Sequence, residues 1–154
     1  MLDNVVCQSC VLARSSDAIR MQGNWALNHY LGGEGYLGWL AIAPVAHRMT
    51  LSALSGEEQF TFLTNVVAIE AAMQSYRMDD RIVRFYMCYF AESLATHPFH
   101  FHVHLIPRYA SLTVKAWDMA KATKDPAFPD RYRVTPDRVK ALMDYLRGVL
   151  STSR

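Results

Sequence analysis

The sequence predicts an α+β domain, an antiparallel sheet with one long helix and a C-terminal helix. Three observations predict it. Apolar runs at residues 24–30, 36–43, 82–90 and 100–108 are bounded by glycine, proline or turn residues, as strands are. Ser55 and Glu58 form a capping box that opens a helix running to about residue 77. Thr135 and Pro136 open a second helix near the end of the chain. The strand order and the long helix together favour an antiparallel sheet.

In residues 24–30, Trp25 and Leu27 share one face, and Asn28 and Tyr30 the other. Residues 31–35 hold three glycines and read as a loop. The apolar stretch 36–43, between Gly35 and Pro44, reads as a buried strand in which Gly38 marks a bulge or a close backbone approach. In the helix from Ser55, the residues Phe60, Leu63, Val67 and Ala71 recur at helical spacing and are expected to form its buried stripe. Residues 82–90 read as a second buried strand, with Cys88 a small buried hydrophobe. Residues 91–98 are a loop. Residues 112–122 fit a loop or a short helix, and 125–130 a loop. The last helix carries Val139, Leu142, Met143, Leu146 and Leu150 as its apolar stripe.

The segment 100–108 holds the most informative pattern. His100, His102 and His104 alternate with Phe101, Val103 and Leu105. In a strand this puts the three imidazoles on one face and the apolar side chains on the core face. Pro107 is expected to end the ladder, because it has no N–H to donate. A merely solvated face favours Thr, Lys or Glu over three histidines. Two chemistries fit better: a three-histidine metal site, or nucleophilic histidine catalysis with neighbouring histidines positioning charge. The strand alone leaves both open.

The chain has 154 residues, which predicts one domain with at most a short appendage. Half of its residues are apolar (51%), enough for a real core. The formal charge is +2 with no Lys/Arg block, so electrostatics give no case for nucleic acid or a membrane surface. No apolar run reaches the roughly 18 residues of a membrane span, and the N-terminus lacks the pattern of a signal peptide. The expectation is a cytoplasmic protein. Three cysteines, an odd number, argue against a disulfide framework. Cys7 and Cys10 are separated by two residues, so both sulfurs reach one ion, and the pair reads first as half a zinc site. A redox pair wants a thioredoxin-like setting, which is not evident here; two unrelated thiols are the remaining reading.

Together these residues carry a family resemblance. His100, His102 and His104, with Pro107 and Arg108 after them, resemble the histidine-triad (HIT) signature. Gly38, the apolar run to Ala43, Pro44 and His47 resemble the segment that precedes it in that family. Cys7 and Cys10 resemble the zinc-binding branch, which includes bacterial HIT hydrolases and galactose-1-phosphate uridylyltransferases. The resemblance covers residues 7–108, and the tail from about 109 lies beyond it.

The resemblance implies a HIT-like domain with structural zinc on Cys7, Cys10, His47 and His100. It implies that His102 is the nucleophile, attacking the α-phosphorus of a nucleotide to form a nucleotidyl-histidine. His104 would bind the phosphate, and the carbonyl of His100 would hold the other ring nitrogen of His102. The implied activity is that of a nucleotide hydrolase or transferase of the dinucleoside polyphosphate or phosphoramidate class. The implied ligand is a purine nucleotide or dinucleotide, and the implied assembly a homodimer. The chain departs from the family pattern in three places. Trp39 stands where many members have histidine. Ala95, Thr96, His97 and Pro98 replace the glycine-glutamine lead into the triad, so Thr96 or His97 stands in for substrate contacts. Asn28 or His29 occupies the region of the ribose-binding acid. A non-catalytic nucleotide-binding zinc protein and a three-histidine metal hydrolase are the alternatives.

Overall fold

A computed structural model describes residues 7–31, 35–76, 80–90, 99–112, 118 and 123–151. The helices are α1 (Gln8–Arg14), α2 (Gly56–Ser75) and α3 (Pro136–Ser151). The strands are β1 (Ile19–Met21), β2 (Trp25–His29), β3 (Leu40–Pro44), β4 (Ile82–Cys88) and β5 (Val103–Tyr109). The five strands form one sheet in the order β1-β2-β3-β5-β4, and every pair is antiparallel. No described helix is long and apolar enough to cross a membrane.

The sheet has two unlike faces. Trp25, Leu27, Leu40, Ile42, Val103 and Leu105 point to one side. There they meet Val66, Ile69, Ala72 and Met73 of α2 and Leu142, Met143, Leu146 and Leu150 of α3. Alternation along the strands sends Asn28, Ala41 and His104 to the other side, where the register sets them in one row across β2, β3 and β5. Ala13 after the first turns of α1 packs on Ala18 and Ala26 at one end of that face. Tyr36, Trp39, Ile106, Leu112, Phe128 and Tyr132 cover the other end.

Several expectations hold. Ser55 caps α2, accepting from the Glu58 N–H at 3.2 Å, while the Glu58 carboxylate accepts from the Ser55 N–H at 2.6 Å. The α3 stripe is buried as expected, with Val139 packed at its margin. Gly38 has φ +88°, and a Cβ there would lie 2.5 Å from the Tyr109 hydroxyl. Only glycine allows that approach.

Other expectations are corrected. Phe60, Leu63, Val67 and Ala71 do not form the buried stripe of α2; Phe60 is 83% exposed. The helix buries Glu58, Thr61, Asn65, Val66, Ile69, Ala72 and Met73 instead. It is apolar on two sides, so the 3.6-residue period does not choose between them. The buried polar groups are satisfied: Thr61 donates to the Glu57 carbonyl at 2.7 Å, and Asn65 to the Gln22 carbonyl at 2.9 Å.

Pro107 does not end the ladder. It lies within β5, opposite Phe85. Its carbonyl accepts from the Tyr36 hydroxyl. A residue's N–H and C=O point to the same side of an antiparallel ladder. The missing donor therefore faces away from β4, at a level where β3 no longer pairs with β5. β4 is an edge strand with Val83, Arg84 and Met87 exposed rather than a buried one, and Cys88 is half-buried. The segment at 36–39 is a turn, so β3 starts at Leu40. α1 and β1 were not anticipated. The loop glycines at 32–33 and most of 112–122 lie outside the described residues.

Candidate functional site

The histidine segment enters the sheet only at Val103. Before that, two contacts tie it to the chain leaving β3. The Phe101 N–H donates to the Arg48 carbonyl at 2.6 Å, and His100 Nε2 lies 2.9 Å from the Pro44 carbonyl. Phe101 is buried against Trp25, with ring centroids 6.2 Å apart. Arg48 is itself held by Glu58 at 3.0 Å, so the start of α2 fixes the same loop. Burial pushes the Glu58 carboxyl up, but the Ser55 amide and the Arg48 guanidinium outweigh it and hold it below the usual carboxylate range.

These ties bring four donors together. Cys10 Sγ lies 3.2 Å from His47 Nδ1 and 3.3 Å from His100 Nδ1, and Cys7 Sγ lies 3.6 Å from His100 Nδ1. One ligand atom from each of Cys7, Cys10, His47 and His100 lies within 4.8 Å of the other three. Local structure explains the cysteine pair. Cys7 caps α1, its sulfur accepting from the Cys10 N–H at 3.4 Å, so both thiols sit on the first turn.

The donor set fits zinc. Tetrahedral zinc with ordinary Zn–S and Zn–N bonds sets sulfur–nitrogen edges near about 3.5 Å. Two thiolates and two imidazoles close the shell, with no position left for water. The Pro44 carbonyl accepts from His100 Nε2, which leaves Nδ1 as the lone pair facing the cluster. Burial lowers the His100 pKa, so the ring is held neutral. Burial, then the adjoining Cys7 sulfur, pushes the Cys10 thiol above its ordinary range. A cation at the centre reverses that pressure.

His102 and His104 stand beside this cluster. His102 is half-buried, and its Nδ1 lies 2.8 Å from the His100 carbonyl. A carbonyl only accepts, so Nδ1 carries the proton and Nε2 keeps a lone pair. The His104 ring lies 4.9 Å from the His102 ring, centroid to centroid, at 81°. His104 is buried, and burial, then the neighbouring His102, lowers its pKa to about 4. Its Nδ1 accepts from Trp39 Nε1 at 3.0 Å. The rings of Tyr30 and Phe90 each lie 5.2 Å from it.

The remaining candidates separate. Asn28 is half-buried in the same cross-sheet row as His104, with the small Ala41 between them. His29 lies on the helix-packed face instead. Its Nδ1 meets the Tyr30 carbonyl at 2.8 Å, and its Nε2 accepts from the Gly38 N–H at 3.1 Å. Burial lowers its pKa to about 4, so it is a neutral pin between β2 and the turn before β3. Thr96 and His97 lie outside the described residues. Sequence reasoning missed the contact between Trp39 and His104. The signal was Trp39 itself, a donor standing where the family pattern has histidine, but the pairing across β3 and β5 is needed to see its partner.

No protein-family model matches the sequence, and no curated protein matches it. Solved structures do. A zinc-bound histidine triad family protein from Mycobacterium smegmatis superposes with a TM-score of 0.64 at 16% identity, over 95% of this chain and 94% of that one. A hypothetical histidine triad nucleotide-binding protein from Sulfolobus tokodaii gives a TM-score of 0.56 at 16% identity, over 95% of this chain and 93% of that one. The chain therefore has the histidine-triad fold.

Proposed function

We propose that this protein is a nucleotide hydrolase or nucleotidyl transferase that works through a covalent nucleotidyl-histidine on His102. The observation that carries the reading is the bond from His102 Nδ1 to the His100 carbonyl, which leaves Nε2 as a lone pair beside His104. The zinc-bound and nucleotide-binding character of the two structural neighbours supports it.

In the first step His102 Nε2 attacks the α-phosphorus. A P–N bond forms as the bond to the leaving group breaks, and the leaving group departs with that electron pair and takes a proton from water. In the second step water attacks the same phosphorus and gives up a proton to solvent. The P–N bond breaks and its pair returns to Nε2. An acceptor other than water turns the same step into a transfer. Two displacements replace one harder displacement. His104 binds the phosphoryl oxygen and stabilises its developing charge. Asn28, in the same cross-sheet row as His104, is the candidate for a ribose contact. The substrate class is a purine nucleotide or dinucleotide, as a dinucleoside polyphosphate or a phosphoramidate.

Cys7, Cys10, His47 and His100 would hold zinc, which when bound supplies structural cross-linking rather than chemistry. A three-histidine metal hydrolase fits less well. Both ring nitrogens of His100 face other groups, the Cys pair and the Pro44 carbonyl.

The same reading includes a homodimer. Phe60, Leu63 and Val67 are exposed on α2, and Val83 and Met87 on the adjoining edge strand β4. An open strand edge beside an apolar helix face suits a second copy of the chain. Light scattering should give twice the chain mass, and Val67→Glu should halve it; a monomer for the wild type refutes this part. For the chemistry, the protein should form an acid-labile phosphoramidate on His102 when mixed with an adenylyl phosphoramidate and quenched. An adduct elsewhere, or turnover that survives His102→Asn, overturns the nucleophile assignment.

A further inference from the structure

His102 and His104 are neighbours on one face, yet their hydrogen-bond partners are opposite in kind. His102 Nδ1 faces a carbonyl, which only accepts. His104 Nδ1 faces an indole N–H, which only donates. Neither partner can reverse its role, so each fixes one tautomer. In His102 the proton is on Nδ1 and Nε2 is bare. In His104 Nδ1 is bare, and the ring's single proton is on Nε2.

We propose that Trp39 is a positioning residue that sets His104 as the neutral Nε2–H tautomer, so that the nucleophile and its phosphate-binding neighbour are held in complementary states. The bare Nε2 of His102 meets phosphorus, and the Nε2–H of His104 meets a phosphoryl oxygen. This rests on the reading of His102 as nucleophile. With both rings in the same tautomer, the site has either two nucleophiles and no donor or the reverse.

The indole is built to hold this position. Trp39 is buried, stacked on Tyr30 with centroids 4.9 Å apart at 29°, and met edge-on by Tyr36 at 5.8 Å. Its ring stands at 86° to His104, and its Nε1 lies 3.0 Å from His104 Nδ1. Tyr30 also touches His104 edge-on, so the imidazole is gripped from two sides. Phenylalanine at 39 keeps an aromatic ring among Tyr30 and Tyr36 and removes the donor together with part of the indole's volume. Histidine at 39 restores an N–H donor in a smaller ring.

The test is long-range ¹H–¹⁵N correlation spectroscopy of the imidazoles in the protein as purified, together with steady-state turnover of an adenylyl phosphoramidate. In wild type His104 should give the pattern of a pure Nε2–H tautomer and His102 that of Nδ1–H. In Trp39→Phe the His104 pattern should move toward a tautomer mixture, with His102 unchanged. The kcat should fall about tenfold, less than the roughly hundredfold expected for deleting an oxyanion donor, while KM moves less than threefold. Trp39→His should restore both the tautomer and most of kcat. A His104 spectrum that is the same in Trp39→Phe as in wild type overturns the proposal, whatever happens to activity. Failure of the nucleophile reading looks different, since His102→Asn would then keep turnover while the His104 spectrum still responded to residue 39.

Discussion

His100 and His104 lie at the two ends of one short segment, and the fold uses them in opposite ways. His100 precedes the strand. It is tied by its Nε2 to the Pro44 carbonyl and turns its Nδ1 lone pair to two cysteines and His47. His104 lies inside β5. Its Nδ1 is occupied by the Trp39 indole, and its Nε2 is left for the site. Both rings are neutral because both are buried. Burial thus disfavours the charge on each, and the hydrogen-bond partner then decides which nitrogen is bare: a carbonyl on Nε2 leaves His100 its Nδ1 lone pair toward the cysteines, and an indole N–H occupies the Nδ1 lone pair of His104. His102, between them, takes its tautomer from the backbone of His100, so the cysteine–histidine cluster and the proposed nucleophile are joined through one residue.

The largest effect that tests this contrast is loss of the reactive end alone. His102→Asn should lower turnover about 10⁴-fold, roughly 5.4 kcal/mol of barrier, with zinc content and Tm unchanged. Phe101 and Val103 point to the core, so the substitution leaves the packed face intact. Zinc content or Tm that falls together with activity would show the two ends to be one unit.

Loss of the metal end comes next. Cys7→Ser with Cys10→Ser should abolish bound zinc and destabilise the chain by on the order of 4 kcal/mol, about 10 °C in Tm. Elemental analysis and a thermal melt read both. Zinc retained at one ion per chain in the double variant sinks the ligand set.

His29 sharpens the comparison, since it is a buried histidine with both nitrogens on backbone groups and neither facing the site. Its pKa is lowered to about 4 in the fold, against about 6.5 in an unfolded chain. Between those values the unfolded state binds the extra proton. Its stabilising contribution is therefore complete above about pH 6.5 and is lost as pH falls toward 4, by on the order of 3 kcal/mol. Urea unfolding at intervals from pH 7 to 4.5 should show a shallower decline for His29→Gln than for wild type. Parallel curves would mean that His29 is already protonated in the fold or exposed. Comparing the two chains at each pH also cancels any acid loss of zinc.

Much of the outcome was legible in the sequence, and each legible part rests on local physics. The α2 capping box is a contact between residues three apart, so its pattern is written in adjacent letters. The α3 stripe is legible because that helix is apolar on one side only. Alternation along a strand separates Phe101, Val103 and Leu105 from the histidines before any partner strand is known. The cysteine pair and the histidine pattern pointed to zinc and to a histidine-triad fold for the same reason, since their spacings are short and chemically uncommon.

What only the tertiary structure decided involves a choice among partners distant in sequence. The sequence of α2 holds two apolar stripes of equal period, and which one is buried depends on where the sheet and α3 lie. Whether Pro107 breaks a ladder depends on which neighbour its missing N–H would have faced, and that follows from β3 pairing with β5 only as far as Leu105. Alternation alone puts Asn28 and His29 on opposite faces, but that Asn28 shares its face with His104 follows only from the pairing of β2 with β3 and of β3 with β5. The states of His100, His102 and His104 were out of reach for the same reason. A tautomer is set by a hydrogen-bond partner, and the partners are the carbonyl of Pro44 at the end of β3, the carbonyl of His100 and the indole of Trp39 in the turn before β3.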